Sequence, residues 1–386
     1  MRARPWIACI ACGVFQLACS SSSEPVSSSQ TPAGSTAPPT DAPPAAVECG
    51  EGTYKTAGST CETFPALTLQ RSSSVIAPIR DHHATAVIET ATGPYLYVFG
   101  GTDDWRTLHD DAQRAQIKDD GTLGAFESAG KLPAPRAGHC LVKVKDRFLL
   151  AGGIVPAGGS MATSASSVLV RIGTDGKVAD AVAGPELPKG VMHLSCEVQG
   201  DYVYALGGRG TNSKSTTLSA RARIDADGSL GAFEAQTPLT PDRSHHASFI
   251  REKRIYLMGG LTGDPTGSYT DHSDVVMADI GEDGALGAWV PAGKLPTALG
   301  VSSAQLYKDA VYTVGGLEGD AFSDKIRRAT FNDDGTLSAF ATLPNKLPAA
   351  RGHVHETPMY KSFIFSVGGQ DDTGTSLGTV DVGRFM

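Results

Sequence analysis

This chain shows few of the sequence marks of an enzyme or a nucleic-acid binder. It has no basic surplus: 33 Lys and Arg stand against 41 Asp and Glu, a net charge of −8. That argues against the basic face a nucleic-acid partner needs and fits ordinary solubility. Helix-favouring patterns are scarce. No nucleophile elbow, phosphate loop or Cys-His pair in motif context occurs. Only Asp225-Ala226-Asp227-Gly228 begins like a calcium loop, and it lacks the further alternating acids and the distal Glu. What the chain has instead is punctuation. Its 45 Gly and 23 Pro break short apolar runs, the pattern of an all-β protein.

The punctuation repeats. Glycine pairs close bulky runs at Gly100-Gly101, Gly152-Gly153, Gly207-Gly208, Gly259-Gly260, Gly315-Gly316 and Gly368-Gly369, with first glycines 52, 55, 52, 56 and 53 residues apart. Six copies at so even a period mean six similar supersecondary units. Tyr97, Tyr204, Tyr256, Tyr312 and Phe365 stand three residues before five of the pairs. Each unit opens with two apolar runs joined by a polar turn such as Lys145-Asp146-Arg147, a β-hairpin. A variable stretch follows the glycine pair, then a strand running into Asp120-Gly121, Asp175-Gly176, Asp227-Gly228, Asp283-Gly284 or Asp334-Gly335. Asp-Gly supplies the positive φ of a tight turn. Phe126, Ala181, Phe233, Trp289 or Phe340 comes five residues past that glycine, placed to fill the wedge between sheets. In sialidase Asp-boxes the aromatic lies five residues after the Asp; here it lies six after, and that match fails.

Each unit reads as a four-stranded antiparallel sheet, and six of them set radially make a six-bladed β-propeller over residues 63–386. The last unit ends after a third strand near Thr379–Phe385. Thr63 to Arg71, ahead of the first unit, is expected to complete that blade and close the ring.

Before the repeats, residues 1–18 carry Arg2 and Arg4 and an apolar stretch from Pro5 to Ala18 too short to anchor in a bilayer, the build of a secretory signal. Its end, Gln16-Leu17-Ala18-Cys19, resembles the lipobox of bacterial lipoproteins, departing from it at Gln16. The resemblance implies lipidation of Cys19, a cell-envelope location and membrane attachment through lipid. Removing residues 1–18 and lipidating Cys19 leaves an even four of the seven cysteines. Residues 19–47 are a Ser/Pro/Ala/Thr tether with almost no large apolar side chains. Residues 48–62 form a small knob, in which a Cys49–Cys61 disulfide is expected. Cys140 and Cys196 lie four and five residues past their entrance marks; their opposite parity reads as two side chains facing apart, hence buried free thiols.

Residues of one register recur where each blade begins. Arg80, Arg136, Arg243 and Arg351 each follow a Leu or Ile by four residues, with Val191 and Leu299 in the other two repeats. His82, His193, His245 and His353 share the next register, where repeat five offers Val301. His83, His139 and His246 come one residue later, and His355 slightly further in. The arginines lie beside the variable loops that follow the glycine pairs. That face is the expected ligand site, an electropositive mouth for a carboxylate on a peptide or an acidic sugar. These four arginines and four histidines are the candidate binding residues; no catalytic residue, metal site or cofactor is assigned.

The entry Pro133-x-x-Arg136-x-x-His139, the Tyr-x-x-Gly-Gly core and the late aromatic resemble Kelch repeats, over some 320 residues. The resemblance implies histidines that bond neighbouring backbone and pack between blades. It also leaves the function open. The first expectation is an envelope-tethered monomeric interaction module for a protein or glycan. A sugar-acting enzyme of the sialic-acid mutarotase kind, with Asp81 and Asp242 as nameable acids, and a structural spacer are the alternatives.

Overall fold

The computed structural model describes residues 53–55, 60–264, 266 and 268–386. The signal, Cys19, the tether and Cys49 lie outside them. Among the described residues no helix is long and apolar enough to cross a membrane. The chain divides after Thr63. Before that point a short hairpin pairs Thr53–Lys55 with Cys61–Thr63, and Cys61 is disulfide-bonded.

Phe64–Met386 is a propeller of six four-stranded antiparallel blades. Blade one is Ala84–Thr90, Gly93–Phe99, Asp111–Gln116 and Glu127–Lys131; blade two is Cys140–Val144, Arg147–Ala151, Ser167–Ile172 and Val178–Ala183. Blade three is Met192–Gln199, Tyr202–Arg209, Ser219–Arg223 and Glu234–Ala235; blade four is Ala247–Arg251, Arg254–Met258, Asp274–Asp279 and Val290–Lys294. Blade five is Ser303–Tyr307, Ala310–Val314, Lys325–Thr330 and Ala341–Lys346. Blade six takes Met359–Tyr360, Phe363–Val367 and Thr379–Phe385 from the C-terminal end and Leu67–Val75 from the other end of the unit. Leu67 pairs with Phe385 and Arg71 with Asp381, the expected closure, shifted a few residues along the chain.

Second strands are sandwiched between neighbouring blades, so both of their faces are buried. That is why Leu96–Phe99 and Tyr204–Leu206 are unbroken bulky runs, each residue wholly inaccessible. The wedge residues pack as expected: Phe126 against the cluster that blades one and six share, which holds Phe363 and Phe365, and Phe233 against the cluster shared by blades two and three. Trp289 adds a hydrogen bond from Nε1 to the Thr237 carbonyl, 3.1 Å, back to blade three.

The glycine pair ties blade to blade. Its second N–H donates to the carbonyl of the entrance residue of the next blade, at Gly101→Arg136, Gly153→Val191, Gly208→Arg243, Gly260→Leu299, Gly316→Arg351 and Gly369→Arg80, all within 2.7–3.1 Å. The first glycine lies against the same carbonyl. A Cβ on Gly259 would stand 2.1 Å from the Leu299 oxygen, at a φ of +61°. The aromatic before the pair makes a second tie, since the hydroxyls of Tyr97, Tyr204 and Tyr256 donate to the carbonyls of Gly176, Gly284 and Gly335 in the next blade's Asp-Gly turn, at 2.6, 2.7 and 2.8 Å.

Cys140 and Cys196 are not free thiols but a disulfide joining the first strands of blades two and three. Opposite parity is what the bond requires: facing sides of adjacent blades are opposite sides of their sheets, so Cys140 looks forward to blade three and Cys196 back to blade two. The variable stretches after the glycine pairs also carry order. Four fold into short hairpins, Thr102–Asp103 with Thr107–Leu108, Ile154–Ala157 with Ser160–Thr163, Leu261–Gly263 with Tyr269–Asp271, and Leu317–Glu318 with Ala321–Phe322.

Candidate functional site in the propeller axis

The entrance arginines do not form an electropositive mouth. Each is buried and turned into its own blade. Nη1 of Arg80, Arg243 and Arg351 donates to the carbonyl of Gly100, Gly259 and Gly368 at 2.9, 3.0 and 3.0 Å, and Arg136 does the same to Gly152. Carboxylates complete three of them: Asp111 on Arg80 (2.7 Å), Asp274 on Arg243 (2.8 Å) and Asp381 on Arg351 (2.7 Å). Arg136 has Ser166 instead, and burial draws its pKa down to about 10, so it is still charged at neutral pH. The glycine carbonyl they hold belongs to a left-handed residue at a strand end and has no ladder partner of its own. Buried and bonded in this way, they fit a scaffold role and do not favour the expected capture of an acidic ligand.

The histidine register converges on the axis. His82, His193, His245 and His353 have φ of 52, 55, 55 and 55°, with Gly138 and Val301 in the same place in blades two and five at 64 and 49°. Left-handed backbone at six equivalent positions, five of them non-glycine and one β-branched, concentrates strain at one level of the molecule. It turns the backbone into a belt: Gly138 N–H donates to the His82 carbonyl (2.7 Å), His193 to Gly138 (2.8 Å), His245 to His193 (3.0 Å) and Val301 to His245 (2.9 Å). The belt stands at the end of the axis nearer the glycine-pair loops. Inside it the rings gather, with centroids 4.1 Å apart for His82 and His353, 4.8 Å for His82 and His193, and 3.7 Å for His193 and His245. Trp105 packs against His82, ring centroids 4.4 Å apart and planes tilted by 50°. Burial depresses all four imidazoles well below their usual pKa, so they are neutral at pH 7.

From this layer toward the first-hairpin turns runs a cavity of about 510 Å³, walled by the first strand, or in blade six the entrance segment, of every blade. Its wall carries hydroxyls and amides (Thr85, Ser195, Ser248, Gln305, Thr357), apolar area from Phe148 and Phe249, and two carboxyls that the sequence reading did not single out. Glu197 is on blade three and Glu356 on blade six, three blades apart and therefore across the axis. Ser248 Oγ donates to Glu197 at 2.5 Å, and the Thr85 N–H donates to Glu356 at 3.2 Å. Burial dominates both and raises them to about 7 and about 8, against those hydrogen bonds. The sequence signal was modest: each is a single acid close behind a register histidine, four residues past His193 and three past His353.

Of the two acids named from sequence, Asp81 is fully buried at the belt, bonded to His82 Nδ1 and, at 2.6 Å, to Ser376 Oγ; burial raises it to about 6. Asp242 is partly exposed and does not line the cavity. Neither pairs with a second acid in the pocket.

No protein-family model and no curated protein matches the chain. Among solved structures it is similar to that of YjhT, with a TM-score of 0.61 and 12% identity, over 79% of this chain and 95% of the other. At that identity the likeness shows a shared propeller fold and no more.

Proposed function

We propose that this propeller is an envelope-tethered binding protein, held by lipid at Cys19, that takes a neutral, hydroxyl-rich ligand of the sugar class into its axial cavity. The supporting observation is the pairing of Glu197 and Glu356 on opposite walls of a cavity whose other polar side chains are the hydroxyls of Thr85, Ser195, Ser248 and Thr357, the Gln305 amide, the imidazoles of His246 and His355, and the exposed Lys143. A carboxyl that titrates near neutrality both donates and accepts hydrogen bonds, which suits a polyol. A volume of about 510 Å³ is in the range that encloses a small molecule rather than a protein loop. Phe148 and Phe249 offer the apolar surface against which sugar rings pack. The ligand therefore belongs in the axis, in place of the loop face favoured by the arginine pattern alone.

A catalytic reading draws on the same two groups. Carboxyls near pH 7 and 8 on opposite sides of one pocket are matched to proton transfer at neutral pH, the requirement of a sugar-isomerising enzyme. Saturation-transfer NMR against neutral mono- and disaccharides tests binding. Anomer-exchange spectra of any binder then test catalysis. Binding with no acceleration of exchange supports the first reading alone; acceleration abolished in Glu197→Gln or Glu356→Gln supports the second.

A further inference from the structure

We propose that His82, His193, His353 and His355 form a site for one transition-metal dication at the belt end of the axial cavity. One ligand atom from each of these residues lies within 4.8 Å of every other. A tetrahedral ion with Zn–N bonds of 2.0–2.1 Å sets its nitrogens about 3.3 Å apart, so small χ rotations close the set.

Several observations make this more than a crowd of rings. Both ring nitrogens of His193, Nδ1 of His353 and Nε2 of His355 are buried and have no hydrogen-bond partner. Buried polar nitrogens without partners are costly, and a coordinated ion satisfies one on each ring. His82 already has its outer shell: Nδ1 is bonded to the buried Asp81, which Ser376 holds from the other side, leaving Nε2 as the ligand nitrogen. That carboxylate–histidine arrangement fixes tautomer and ring angle in metal sites. The charged groups around the set are Asp81 and Asp104 on one side and Arg209 on the other; Asp104 bonds Ser376, and Arg209 bonds the Tyr269 hydroxyl. An all-imidazole set suits Zn²⁺, Ni²⁺, Co²⁺ or Cu²⁺ and not Mg²⁺ or Ca²⁺. His355 also lines the cavity, so the ion would sit at the inner end of the pocket. The set is not the repeated register itself: His355, two residues beyond His353 in blade six, stands in it where the register would offer His245.

The test uses the tag-free full chain, stripped with chelator and titrated with Zn²⁺ and Co²⁺. One saturable equivalent per chain is expected, with a raised melting temperature. His193→Gln and His355→Gln should each weaken binding by roughly tenfold or more. Trp105, 4.4 Å from the His82 ring and 6.4 Å from the His193 ring, should lose fluorescence on Co²⁺ binding. Trp105→Phe should keep the binding and lose that quench, which reads the site without disturbing a ligand. No saturable binding, binding equally tight in both histidine variants, or binding without a Trp105-dependent quench would overturn the proposal. None of these outcomes depends on whether a sugar binds.

Discussion

Gly259 shows how a single residue carries the architecture. Its φ of +61° is matched by Gly319, yet a Cβ on Gly259 meets the Leu299 carbonyl at 2.1 Å, while one on Gly319 meets nothing within 4 Å. Gly319→Ala should cost about 1–2 kcal/mol, the left-handed penalty alone. Gly259→Ala carries that penalty plus a backbone collision at the blade junction, and should cost at least about twice as much. Urea unfolding of the two variants compares them directly; equal losses would mean that the junction yields. The glycine pairs were legible from sequence because one constraint recurs six times at one spacing. The arginines were legible as a repeated residue, but their direction was not: whether a guanidinium faces solvent or a neighbouring carbonyl depends on where the strand end of the same blade lies. Glu197 and Glu356 occur once each, so no period announces them, and their significance lies in burial, which sequence does not display.

Among the elements, the two ends of the propeller meet in blade six. Removing Leu67–Val75 would leave the Thr379–Phe385 strand with an open edge and should abolish the single cooperative melt. A truncated chain that melts as the full chain does would show that the ring is closed by something else. The Cys140–Cys196 bond clamps another junction across 56 residues. In the chain-entropy model it contributes about 4 kcal/mol, and Cys140→Ser/Cys196→Ser should lose an amount of that order in reversible unfolding. The closing strand could be foreseen because the sixth repeat is visibly one strand short. The disulfide could not be foreseen from strand parity within a single sheet, since the partner sits on the neighbouring blade, where parity inverts.

At the scale of the molecule, buried titratable groups shape the pH response. All ten histidines are depressed in the fold, chiefly by burial. The unfolded chain takes up protons near pH 6.5 that the folded chain refuses. The stability they contribute is thus complete above that pH and is lost as pH falls below it, by about 1.4 kcal/mol per pH unit for each imidazole kept neutral. Glu197, Glu356 and Asp81 are raised, so their contribution runs the other way, present below the ordinary carboxylate range and lost as pH rises through about 6 to 8. Chemical denaturation across pH should show a maximum near 6.5–7 with the acid side falling more steeply, and Glu356→Gln should flatten the alkaline side. A profile unchanged between pH 4 and 7 would contradict burial of the histidine layer in neutral form.

The central claim is that function resides in the axial cavity and rests on Glu197 and Glu356. The most direct measurement is calorimetric titration of the best saccharide from the NMR panel into the full chain, the Glu197→Gln/Glu356→Gln variant, and an Arg136→Lys variant altered only at a blade entrance. The account predicts at least a tenfold loss of affinity in the double variant, with its melt intact, and unchanged affinity in Arg136→Lys. Full affinity in the double variant, loss confined to the arginine variant, or no saccharide bound by the unaltered chain would contradict it.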